Sequence, residues 1–170
     1  GGGAAGTLAA LQCLRQARAP LRIVLFEPAP RPGEGVAYAT TRPEHLLNVP
    51  TGRMSALPEC PDDFLDWLAA RPAHRDESRE VLARGYAPRR EYAHYLRERL
   101  QQARHASPAT LEILDARTDT LQRGDDGWAL HWRAGEARAR RVLLAVGTGA
   151  RPLPGRGALF AACKRLRTQH

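Results

Sequence analysis

The chain opens Gly-Gly-Gly-Ala-Ala-Gly, and Gly1, Gly3 and Gly6 fill the pattern G-x-G-x-x-G. No other stretch restricts the fold as much. The glycines lead straight into a run in which Leu8, Leu11 and Leu14, with Ala10 and Ala17, recur at helical spacing, so a helix is expected from Ala4 to Arg18. Arg15 and Arg18 stand at the end where the helix dipole favours cations, and Ala19-Pro20 stops the run. In a turn of this kind the first glycine permits the tight bend and the second lets a diphosphate approach the backbone. The third lets the helix pack closely on a sheet. Unpaired N–H groups and the positive end of the helix dipole then face the anion.

The next segment is continuously apolar from Ile23 to Phe26 and stops at Glu27. It reads as a strand of a parallel sheet, covered on both faces. Glu27 follows Gly6 by about 20 residues, the interval at which an acidic side chain accepts hydrogen bonds from a ribose diol. The same residues also fit a structural glycine turn followed by a solvated glutamate. A strand before Gly1 would complete a βαβ unit.

Residues 28–53 are rich in Pro and Gly without a sustained period, and they read as a long loop, of a length that is usually functional or disordered. A short helix is expected in "PDDFLDWLAA", with Asp62 and Asp63 in its first turn and an apolar face of Phe64, Leu65, Trp67 and Leu68. A polar connector from Arg71 to Arg84 comes next. Pro88 then opens a longer helix whose Tyr92, Tyr95, Leu96, Leu100 and Ala103 share one face. After Pro108 the period falls to two: "LEILDARTDTL" and "WALHWR", separated by "QRGDDG", are expected to form a hairpin. In it Trp128, Leu130 and Trp132 supply the buried face. A fully apolar strand is expected from Val142 to Val146, ended by Gly147 and Gly149.

Composition narrows the function classes. With 43% hydrophobic and 26% charged residues in 170, the chain is globular and long enough for one domain with a core. The net charge of +8 is carried by arginine, since Lys164 is the only lysine. These arginines are scattered, whereas a nucleic-acid footprint is clustered, so no nucleic-acid partner is expected. Cys13, Cys60 and Cys163 form no C-x-x-C pair, which points to reduced thiols in a cytoplasmic protein and to no metal site. No apolar run reaches the roughly 20 residues that span a bilayer. Neither H-E-x-x-H nor a Walker sequence appears, and no Ser/His/Asp constellation is evident.

Within "HLLNVPTGRM", Asn48 offers both a donor and an acceptor and Arg53 a permanent cation suited to an oxyanion or a phosphate; either also fits a loop residue holding its own backbone. His45 beside Glu44 reads as a surface residue and His94, between two helix-face tyrosines, as structural.

The stretches "GGGAAG", "VLFEPAPRPGEGVAYATTRPEHLLNVPTGRMSALPECPDDFLDWL", "YAPRREYAHYL" and "RVLLAVGTG" carry a resemblance that covers nearly everything up to Pro154. Together they resemble the amino-terminal part of the FAD/NAD(P)-binding proteins related to class B flavin monooxygenases. That group includes L-aspartate N-monooxygenase and a urate hydroxylase branch. The resemblance implies an α/β, Rossmann-like FAD/NAD(P)-binding domain over residues 1–154, with a parallel sheet, helices and an inserted antiparallel β-meander, and a basic tail at 155–170. It implies FAD as cofactor, NAD(P)H as reductant and a small substrate such as an amine or amino acid.

The residues that the resemblance assigns to the cofactor are Gly1, Gly3, Ala4, Ala5, Gly6, Glu27, Gly35, Asn48, Arg53, Thr118 and Gly147. It puts the meander at residues 111–133, with its first strand near Arg117 and Thr118 against the adenine. "LLAVGTG" is similar to a second flavin fingerprint, commonly Ala-Thr-Gly, which here is Ala145-Val146-Gly147 with Thr148 displaced by one. Catalytic residues are not identified. Two readings from other classes stand beside this one: a non-catalytic FAD/NAD-binding module, and an S-adenosylmethionine-dependent methyltransferase. Because the pattern starts at the glycine turn and stops soon after the second fingerprint, residues 1–170 by themselves are expected to fold poorly and not to complete a catalytic cycle.

Overall fold

The leucine spacing after the glycines does produce a helix, α1 (Ala4–Gln16), in a computed structural model that describes residues 1–29 and 31–147. It buries Ala10, Leu11 and Leu14, and the extended conformation of Ala17 ends it. β1 (Arg22–Phe26) follows. The Pro/Gly-rich stretch holds the single turn α2 (Gly35–Tyr38) and a 3₁₀ turn at Thr51–Arg53. Three more helices come next, α3 (Asp63–Ala69), α4 (Arg79–Arg84) and α5 (Arg89–Ala106).

α4 lies within the segment read from sequence as a polar connector. Ser78 caps it by accepting a hydrogen bond from Val81 N, and it buries only Leu82. A helix this short, with one core residue, leaves almost no periodic trace.

α5 is the backbone of the core. Its expected face, Tyr92, Tyr95, Leu96, Leu100 and Ala103, is buried. Phe64 from α3 fits edge-on to Tyr92 with ring centres 5.2 Å apart, and lies 4.9 Å from Tyr95. On the other side Leu11 and Leu14 of α1 join the same cluster. Ser107, just past α5, donates to the Leu14 carbonyl at 2.7 Å and so ties the two helix ends together.

Two sheets complete the fold. β2 (Thr110–Leu114) lies parallel to β1, with Arg22 opposite Thr110 and Phe26 opposite Leu114. β3 (Thr120–Gly124), β4 (Gly127–Trp132) and β5 (Gly135–Ala139) form an antiparallel meander. Gly124 and Gly127 flank a two-residue turn at Asp125-Asp126, and Phe26 meets Trp132 edge-to-face at 5.1 Å. The architecture is mixed α/β and Rossmann-like, as expected.

Three details differ from the sequence reading. The alternating run 111–121 is two strands, because its first half finds a parallel partner in β1 and only its second half enters the hairpin. The meander is therefore 120–139, and Arg117 and Thr118 lie in the link before it. β1 is covered only in part, Leu25 alone being buried, since among the described residues its sheet has two strands. Residues 142–146 form no strand: no described strand runs beside them to complete a ladder, and Leu143, Leu144 and Val146 are exposed. Gly149 and the basic 155–170 segment, with Cys163 and Thr148, lie outside the described residues.

Candidate functional site

Among the described residues no side chain caps the start of α1. Gly3, its N-cap, is extended, and no acidic residue occupies the first turn. Among the described residues the amides of Gly3, Ala4, Ala5 and Gly6 meet no acceptor. A helix start that offers free N–H groups and the positive dipole end, with no carboxylate in its own first turn, can take an anion.

The glycines of this turn are fixed by close approach. A β-carbon on Gly6 would overlap the Gly1 carbonyl oxygen, and one on Gly1 would stand 2.6 Å from the Ala145 carbonyl oxygen. Residues 142–147 thus pass the glycine turn although they form no strand. Gly147 adopts φ +70° in open space there.

Glu27 is not a solvated side chain. Its Oε2 accepts from Gly2 N at 2.5 Å and its Oε1 accepts from Ala29 N at 3.1 Å. The end of β1 is thereby fastened to the glycine turn, and each carboxylate oxygen keeps a second lone pair for another donor.

A second glycine turn, outside the G-x-G-x-x-G pattern, closes over the first. Gly33, at φ +90°, donates to Gly2 O at 2.9 Å and to Thr7 Oγ1 at 2.8 Å. Gly35, at φ +51°, lies so close that its β-carbon would be 2.9 Å from Gly3 Cα. The room that a missing side chain leaves at Gly3 is therefore taken on one side by Gly35, not by ligand alone. Glu34 between the two glycines pairs with Arg97 of α5 at 2.8 Å and faces Arg31 at 3.9 Å.

The structure brings Gly1, Gly3, Ala4, Ala5, Gly6, Glu27 and Gly35 together, with Ala145 against them. It does not join Asn48, Arg53 or Thr118 to them by any hydrogen bond or ion pair among the described residues. Asn48 and Arg53 are exposed, on a segment whose backbone is held to the start of α5 by Leu47 N to Ala87 O and Thr51 N to Gly85 O. His45 is exposed and bonded to Thr40 at 2.7 Å. The sequence reading missed Gly2, Thr7 and Gly33. Thr7 gave one signal, a hydroxyl among the small apolar residues of α1.

The strongly perturbed ionisable groups lie elsewhere. Burial pushes the Asp63 carboxyl up, but bonds from Arg99 and Tyr95 outweigh it and hold it below the usual carboxylate range. Tyr95, buried and bonded to Asp63 at 2.6 Å, is pushed up, as is Tyr92. This network ties α3 to α5 and is structural. Among the described residues no group of His, Cys, Asp and Glu could hold a metal, and no helix is long and apolar enough to cross a membrane.

The turn fits a dinucleotide. Four free amides at a helix start suit a diphosphate, and a carboxylate fixed one residue away suits a hydroxyl-bearing sugar. In comparison with known proteins, one family model, described as FAD-NAD(P)-binding, matches residues 1–149. No curated protein matches the chain.

Proposed function

The chain belongs to the FAD-NAD(P)-binding family, and from that premise we propose that it binds FAD as part of an NAD(P)H-dependent flavoprotein oxidoreductase of the monooxygenase type. The observation that carries this reading is the uncapped start of α1, with Glu27 bonded to Gly2 beside it. The amides of Gly3, Ala4, Ala5 and Gly6 bind the diphosphate. Glu27 accepts from the adenosine ribose. Gly35 and Gly147 keep the backbone near the cofactor free of side chains, while Asn48, Arg53 and Thr118 contact its more distant parts.

Bound flavin would supply acceptance of hydride from NAD(P)H and delivery of one oxygen atom of O₂ to a small amine or amino-acid substrate, the other leaving as water. The protein's part is to bind, orient and keep water from the reacting centre. A methyl-donor site is disfavoured by the family and by the meander of β3, β4 and β5.

The visible spectrum of the full-length protein tests the reading. Flavin absorption that survives gel filtration, or that is taken up on adding FAD, is the expected result. Colourless protein that retains neither FAD nor NAD(P) overturns it. NAD(P)H-dependent oxygen uptake that rises with an added amine separates an oxidoreductase from a binding module without turnover.

A further inference from the structure

We propose that Thr7 is a positioning residue for the dinucleotide: its buried hydroxyl locks the second glycine turn onto the first and so sets the width of the diphosphate cradle. The inference rests on the reading of the α1 start as the diphosphate site.

Thr7 is fully buried, and its hydroxyl is used in an unusual direction. A helical threonine ordinarily returns its hydroxyl to a carbonyl three or four residues back, within its own helix. Thr7 Oγ1 instead donates to Gly2 O at 2.9 Å, beyond the N-cap, and accepts from Gly33 N at 2.8 Å. One oxygen therefore bridges the two turns. Gly33 N also reaches Gly2 O directly at 2.9 Å, so the three groups form a closed triangle. It accompanies the approach of Gly35 to Gly3, which leaves no room for a β-carbon at Gly35.

Other ties on this loop are weaker. The Arg97–Glu34 pair holds its outer face, with 31% and 19% of the two side chains still exposed. α2 is a single turn without a side-chain cap. The buried hydroxyl and the direct Gly33 N–Gly2 O bond together fix the register of the two turns.

Removing that hydroxyl leaves no backbone group stranded, because Gly2 O and Gly33 N still have each other. Thr7→Val, of nearly the same shape, therefore loosens the alignment without emptying the core. The test compares FAD with adenosine, the part of FAD that carries no phosphate, by titration of full-length protein. Thr7→Val is expected to weaken FAD binding tenfold or more, to leave adenosine binding within about twofold, and to speed hydrogen exchange at the Gly33 amide. Thr7→Ser, which keeps the oxygen, is expected to restore FAD binding to within about threefold of wild type. Gly35→Ala, which pushes the turns apart by a different route, is expected to reproduce the selective loss even if the valine variant does not fold.

Equal loss of FAD and adenosine, or wild-type FAD binding in both Thr7→Val and Gly35→Ala, overturns the proposal while the site stands. Wild-type protein that takes up no FAD overturns the underlying reading, and this inference with it.

Discussion

The carbonyl oxygen of Gly1 stands where a β-carbon on Gly6 would have to be. The glycine turn therefore folds back on the first turn of α1, and the third glycine of the pattern is required by the turn's own backbone, with Ala145 against it on the other side. Gly6→Ala must displace either the Gly1 peptide or the start of α1. The expected cost is about 1–3 kcal/mol of stability, the usual range for an overpacked site, together with loss of dinucleotide uptake. Thermal melts and FAD titration of the same preparation check both.

Gly3 is confined differently. Its β-carbon would be 3.4 Å from Gly35 Cα, a distance that a single methyl tolerates and two further methyls do not. Gly3→Ala is expected to keep most of its flavin, whereas Gly3→Val pushes the second glycine turn away and abolishes flavin retention. Equal flavin content in the two variants after gel filtration would show that this contact does not shape the cradle.

Glu27 has a role before any ligand arrives. Its bonds to Gly2 N and Ala29 N hold the glycine turn at the end of β1. Glu27→Ala removes those acceptors and the one we propose for the ribose, so FAD affinity is expected to fall by roughly 1–3 kcal/mol, the scale of a lost hydrogen bond to a charged group. Isothermal titration measures it, and Glu27→Gln, which keeps one acceptor oxygen, should fall between alanine and wild type.

These features were legible in the sequence to different depths for physical reasons. The buried face of α5 was readable because Tyr92, Tyr95, Leu96 and Leu100 repeat at the helical period, a purely local signal. The split between β2 and β3 was not, since no glycine or proline interrupts residues 111–121 and the parallel partner of β2 lies far back in the chain. The apolar run 142–146 announced a strand, but hydrophobicity specifies burial and not a hydrogen-bonding neighbour. At the site, Gly3, Gly6 and Glu27 were found by spacing. Thr7, Gly33 and the contact of Gly35 with Gly3 depend on a loop folding back over the turn, which no spacing encodes.

The Tyr95 hydroxyl joins three elements. It donates to Asp63 of α3 at 2.6 Å and accepts from Ala56 N at 2.9 Å in a buried position. Tyr95→Phe strands the Ala56 amide, while Asp63 keeps its two bonds from Arg99 at 2.7 and 2.9 Å. The expected loss is about 1–3 kcal/mol, the penalty for a buried donor without a partner. Urea unfolding should show it as a lower midpoint with an unchanged slope.

The same network makes stability depend on pH. The Asp63 carboxyl is raised by burial but lowered more by its bonds from Arg99 and Tyr95, and the net shift is downward from 3.8. A depressed folded-state value means that its contribution is complete above 3.8 and is lost as pH falls through the lower folded value. The Tyr95 hydroxyl is raised from 10.0, first by burial and then by its bond to Asp63. Its contribution is complete below 10.0 and is lost as pH rises through the higher folded value. Stability measured by urea unfolding is therefore expected to fall at both ends of the pH scale. Asp63→Asn should flatten the acid limb and shrink the alkaline one, which the Asp63 bond to Tyr95 helps to set, and Tyr95→Phe should shrink both, the alkaline limb more. If either substitution lowers stability by the same amount at every pH, the titration of that group is not what shapes the limb.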